Sequence, residues 1–255
     1  MKATTRSRRT HARAPRRAPA RASRDGAAPL ATPGLLQLIR LASPSLPVGA
    51  FSYSEGIESA VEASLVRDEA SATAWLADQL ALTLVRSELP VVARTLAAWQ
   101  RGDHDAVAAW NLWFSTTRET SELRRQSEQM GRSLALWLRQ RDSADTRVAC
   151  LQALAPAPTW PVAFALAAAD TGAAAHDVLA SYAAGWAENM TQAALKAVPL
   201  GQAAAQRILA ALFAEIPDAV GRALDLPASE LQAFAPMLAI LSAKHEDQYS
   251  RLFRS

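Results

Sequence analysis

The sequence predicts an all-α protein: a single irregular domain of about ten helices, preceded by a disordered basic tail. Three observations carry this. From Leu35 onward apolar residues recur at helical spacing. β-Branched runs are few, and no strict period-two alternation is bounded by hairpin turns. The charges are also segregated: residues 1–29 hold nine basic groups, eight of them arginine, against Asp25 alone, while the other residues carry 18 basic and 23 acidic groups. The net charge of +3 therefore combines a mildly acidic body with a strongly basic arm.

The arm, residues 1–33, is rich in Arg, Ala and Pro, and cannot bury enough surface to offset the entropy of ordering it. The body spans 34–243 and a short C-terminal tail spans 244–255. Pro44, Pro47 and Gly49 stop the first helical stretch. Asp68 is a cap for a helix whose inner face includes Leu76, Leu80 and Leu84, with Trp75 and Leu82 widening the stripe. Pro90 fits the first turn of a further helix, and Asp103 caps the next, with Val107, Trp110 and Phe114 on one face. A charged helix over 117–139 turns Leu123, Met130, Leu134 and Trp137 inward, and places Glu128 four residues before Arg132. Trp160-Pro161 opens an apolar helix that Thr171-Gly172 closes. Val178, Tyr182, Trp186 and Met190 then mark one face of a longer helix, and Pro199 interrupts the pattern. Ile208, Leu209, Leu212, Phe213 and Ile216 form a further face ending at Pro217, and Ser229 caps a last helix containing Leu231, Phe234, Leu238 and Leu241.

Several function classes find no support. No run approaches the roughly 20 apolar residues that span a bilayer. The single cysteine, Cys150, forms no intrachain disulfide or Cys-x-x-Cys pair, and a lone thiol suits a reducing compartment, so a cytoplasmic protein is expected. No glycine is followed by lysine, which removes the phosphate-binding P-loop. His104, His176 and His245 are scattered, without metal-ligand spacing, and neither a nucleophile elbow nor a magnesium-binding aspartate cluster occurs. A non-enzymatic chain with no metal or cofactor is expected. The arginine arm leaves open an alternative, nucleic-acid binding, against which the acidic body argues.

Four stretches have residue choices that helix formation does not explain. Residues 41–58 read LASPSLPVGAFSYSEGIE, a rigid loop presenting Phe51 and Tyr53. Residues 118–132 read RETSELRRQSEQMGR, where Gly131 inside a helix costs about 1 kcal/mol relative to alanine and points to close backbone approach. Residues 186–202 put Glu188, Asn189, Gln192 and Lys196 beside an apolar stripe and end in VPLGQ. Residues 244–255 join Tyr249, Leu252 and Phe253 to Arg251 and Arg254, a composition typical of a mobile peptide that orders on a partner.

In this order and spacing the four stretches resemble the UreF family of urease accessory proteins, over about Leu35 to Ser255. The resemblance implies an all-α, often dimeric protein that is not itself an enzyme and acts in the maturation of nickel urease. It implies binding to the accessory protein UreD or UreH, recruitment of the GTPase UreG, and presentation of the assembly to apo-urease. It also implies a partner-binding set. In the first stretch this comprises Phe51, Tyr53, Ser54, Glu55 and Glu58; in the second, Arg118 and Arg132. Lys196 resembles a contact facing the GTPase or urease. His245, Tyr249, Arg251, Leu252, Phe253 and Arg254 look like the segment ordered by UreD or UreH. The family often reads Arg-His-Glu-Thr where this chain has Lys244 to Asp247, and lysine lacks arginine's bidentate fork.

Overall fold

A computed structural model describes residues 30–255; most of the arm expected to be disordered, residues 1–29, lies outside the described residues. Eleven α-helices and no strand occur among the described residues. The first, α1 (Thr32–Ala42), carries Pro33 in its opening turn and so begins inside the span expected for the arm. After the loop and α2 (Ile57–Glu62), a long rod runs from 69 to 101: α3 (Glu69–Gln79), a π-helical segment over Leu80–Glu88, and α4 (Leu89–Arg101). Asp68 opens it with a capping box, its carboxylate accepting from the Ser71 amide at 2.8 Å.

Asp103 caps α5 (His104–Thr116), and Thr120 caps α6 (Ser121–Arg141), which therefore starts four residues later than expected. Then follow α7 (Thr146–Gln152), α8 (Trp160–Ala168), α9 (Ala175–Ala197), α10 (Gln202–Asp225) and α11 (Pro236–Glu246). Every residue of α8 from Pro161 to Ala168 is buried, as a helix apolar on all sides must be, and α4 and α6 flank it. α9 crosses the core, packed on α10, α1 and α4, with Val178, Tyr182, Trp186 and Met190 all buried. Gly131 lets α6 approach the strand of loop before α8: a Cβ there would stand 2.1 Å from the Pro158 carbonyl oxygen.

Three sequence expectations are corrected. Leu82 is 38% exposed, because it stands two residues from both Leu80 and Leu84 and so points to the side of the helix opposite the Leu76–Leu80–Leu84 stripe. α10 continues through Pro217 to Asp225: Ile216, Ala219, Val220 and Ala223 are buried, and that burial outweighs the hydrogen bond proline cannot make, while Phe213 faces outward. The last helix starts at Pro236, in whose first turn a proline amide is not missed. Ser229 lies in a short 3-10 turn instead, and Phe234 is exposed.

Candidate functional site

The loop between α1 and α2 joins two polar networks, one inside the core and one under the C-terminal tail. Two left-handed residues, Glu55 (φ 49°) and Gly56 (φ 80°), turn the chain into α2. Glu55 points inward. Its Oε1 accepts from Gln126 Nε2 of α6 at 2.7 Å and its Oε2 from the Trp186 indole of α9 at 2.9 Å. The π segment delivers Thr83 and Glu88 to the same cavity, which Phe114, Met130, Trp160, Phe164 and Asn189 also line. Glu88 accepts from the Tyr182 hydroxyl and lies 3.5 Å from the Arg118 guanidinium. Arg118 stacks over the Phe114 ring at 4.1 Å and donates to Ser87 Oγ, but its buried Nε has no partner.

Burial, and secondarily the charge of Glu88, push the Glu55 carboxyl up to about 7; the bonds from Trp186 and Gln126 and the charge of Arg118 oppose the shift. Burial and the Glu88 charge likewise raise the Tyr182 phenol well above its ordinary value, so Tyr182 stays a donor.

Glu58, one helical turn on, faces the tail. Its two oxygens accept from the Leu252 and Phe253 amides at 2.7 and 2.8 Å. The wholly buried His245 ring places Nε2 3.3 Å from Glu58 and Nδ1 2.8 Å from Glu122, so both carboxylates are served only when the ring carries both protons. Glu122 also accepts from Arg251 at 2.7 Å. Ser54 donates its amide and its hydroxyl to the Ser255 carbonyl oxygen, and the Arg254 amide donates to Ser52. Gln126 connects the two networks: its amide nitrogen donates to Glu55 while its oxygen accepts from Ser255 Oγ at 2.6 Å.

The structure thus divides the residues singled out from sequence. Tyr53, Ser54, His245 and Phe253 are buried, and the carboxylates of Glu55 and Glu58 and the guanidinium of Arg118 are engaged inside the chain, so these are not presented on the surface. Phe51, Tyr249, Leu252 and Arg254 are exposed around the docked tail; Arg251 is partly so. Lys196 is exposed with its Nζ 5.7 Å above the Phe253 ring, and Arg132 is exposed on α6, paired with Glu128 at 3.6 Å. The tail expected to be mobile is folded back on the body. Glu88, Tyr182, Trp186, Glu122 and Gln126 were not read as site residues. The Glu122–Gln126 spacing, which puts both on one helix face, was the available signal.

Among the described residues no group of three or more His, Cys, Asp or Glu side chains could hold a metal ion, and no helix is long and apolar enough to cross a membrane. The UreF family model matches residues 66–213. The chain is 62% identical over 230 residues to the urease accessory protein UreF of Methylibium petroleiphilum, covering 90% of this chain and 97% of that protein. It is 63% identical over 225 residues to the protein of the same name from Paracidovorax citrulli, covering 87% and 89%. Against that of Polaromonas sp. the identity is 58% over 231 residues, covering 90% and 98%.

Proposed function

The chain belongs to the UreF family of urease accessory proteins, and from that membership we propose that it is a non-enzymatic scaffold required for nickel insertion into apo-urease. It binds UreD or UreH, and with it recruits the UreG GTPase, whose nucleotide state is coupled to metal delivery through differential contacts. The observation that carries this reading is the convergence of the first, second and fourth sequence stretches on one loop–tail unit, held by Glu58, Glu122 and Gln126.

Around that unit Phe51 (62% exposed), Tyr249 and Leu252 offer apolar and aromatic anchors beside Arg251 and Arg254, the residue types enriched where binding energy concentrates. Lys196 flanks the same unit and supplies a basic contact. The outward side of α1, with Leu35, Leu36 and Ile39 each about half exposed or more, supplies an apolar face on which a second copy would pack.

The test is urease activity in cells with a complete urease gene cluster, with and without this reading frame, at ordinary and excess nickel. Loss of activity with metal-poor urease subunits still present is the expected result, partly rescued by nickel. Unchanged activity and nickel content would overturn the reading.

A further inference from the structure

We infer that the buried pair Glu55 and Glu88 is a proton-binding site, and that Gln126 links its occupancy to docking of the C-terminal segment 247–255. The inference concerns the isolated chain and stands apart from the urease assignment.

Three features of the cavity argue for it. First, two carboxylates face one guanidinium, that of Arg118, so the enclosed site holds one more negative than positive charge when both are ionised. The other titratable group there, Tyr182, is a neutral donor to Glu88. In a low-dielectric interior an unbalanced charge is costly, and a proton is the smallest group that balances it. Second, the carboxyl of Glu55 is raised to about 7, by burial and then by Glu88, so the proton is exchangeable near neutrality.

Third, the hydrogen bonds around Glu55 are all of one polarity. Both of its oxygens accept, from Gln126 Nε2 and from the Trp186 indole, so a proton arriving on Glu55 meets donors on both sides. Trp186 cannot reverse, because its indole only donates. Gln126 can, by turning its amide so that its oxygen takes the Glu55 proton and its nitrogen faces Ser255 Oγ. That same oxygen now accepts from Ser255 Oγ at 2.6 Å, so after the turn Ser255 can only accept from Nε2 and its hydroxyl proton loses its partner. Protonation also removes the charge that strengthens the bonds fixing the loop, whose Ser52, Ser54 and Glu58 hold the tail. Uptake of the proton therefore loosens the segment, and docking of the segment lowers proton affinity by the same factor.

The test is NMR on the full chain between pH 5.5 and 8.5, following the Trp186 indole N–H, assigned by Trp186→Phe, and the protection factors of the Leu252 and Phe253 amides. The indole shift should titrate with a midpoint near 7, and tail protection should fall about tenfold toward the acid end. Glu55→Gln should abolish both responses. Gln126→Leu should keep the Trp186 titration while clearly reducing the pH response of tail protection to the part carried by the loop, and an undiminished response would overturn the role of Gln126 as the link. Absence of a Trp186 titration in the wild-type chain overturns the proposal without need of any variant. So does a tail response that persists in Glu55→Gln, which would assign it to His245 between Glu58 and Glu122.

Discussion

Replacing Glu58 by glutamine tests whether the tail is held by the loop. The wild-type carboxylate accepts two tail amides, from Leu252 and Phe253, and faces the buried His245 ring. Glutamine retains one acceptor oxygen and sets an NH2 group against the second amide. One charge-assisted bond is lost outright and the other becomes neutral. With hydrogen bonds to charged groups contributing about 1.5–3 kcal/mol each, the combined loss is about 3 kcal/mol. Tail docking would then weaken roughly a hundredfold, at about 1.4 kcal/mol per factor of ten. The readout is limited trypsin digestion at the Arg251–Leu252 bond, whose amide is one of the two held, followed by mass spectrometry at protease levels where cleavage tracks the open population. Glu58→Gln should be cut about a hundred times faster while the unfolding midpoint of the body moves little. Cleavage within twofold of wild type would mean that contacts other than Glu58 hold the tail, and the proposed loop–tail unit would be wrong.

Gly131→Ala should lower stability by about 2 kcal/mol, because the 2.1 Å approach to a backbone oxygen forces α6 and the 158–159 segment apart and outweighs alanine's better helix propensity. Urea denaturation checks it, and a variant as stable as wild type would refute the close packing. Asn111→Ala should cost about 3 kcal/mol: Asn111 is buried, accepts from the Thr159 amide and hydroxyl, and donates to the Pro156 and Ala157 carbonyls. A shift of the urea midpoint worth less than about 1 kcal/mol would show that water replaces these bonds. Glu55 sets a pH dependence with a definite sign. Its folded value of about 7 exceeds the ordinary 4.5, so the folded chain holds the extra proton between them. The stability is therefore fully present below 4.5 and lost as pH rises through 7, by about 3 kcal/mol at 1.36 kcal/mol per unit. Measured by urea unfolding at pH 5 and 8, the wild-type chain should lose stability relative to Glu55→Gln; parallel profiles would refute the raised value.

What was legible in the sequence is what local chemistry decides. Asp68 and Asp103 are caps because their side chains reach amides three residues on, with no help from the rest of the fold. Val178 to Met190 declare one face because the spacing alone places them there. Gly131 announced a close approach because nothing else justifies glycine inside a helix. The failures are of another kind. Nothing in Leu80–Glu88 marks it as π-helical, and Leu82 was misplaced for a simpler reason, since residues two apart on a helix point to opposite sides. Pro217 is a breaker by rule, and only the burial of the residues on either side reverses the outcome. The tail was misread as mobile because its partners are remote: Glu58 lies 194 residues before Leu252, and Glu122 lies 129 before Arg251. Paired carboxylates far upstream of a His, an Arg and two amides carry no local signature.

The geometry of the loop explains how one short segment serves two networks. Residues three apart on a helix share a face, so a regular helix through 55–58 would aim Glu55 and Glu58 in the same direction. Consecutive left-handed residues at Glu55 and Gly56 prevent this, sending the first carboxylate into the cavity and the second under the tail. For glycine that backbone is free, whereas for a glutamate it costs about 1–2 kcal/mol. The cost at Glu55 is offset by the bonds from Gln126 and Trp186, which depend on its charge. A strained residue whose strain is balanced by a titratable interaction is one whose conformation responds to protonation. The loop responds together with Gln126, because Ser54 and Glu58 carry the loop's position to the tail while Gln126 bonds both Glu55 and Ser255.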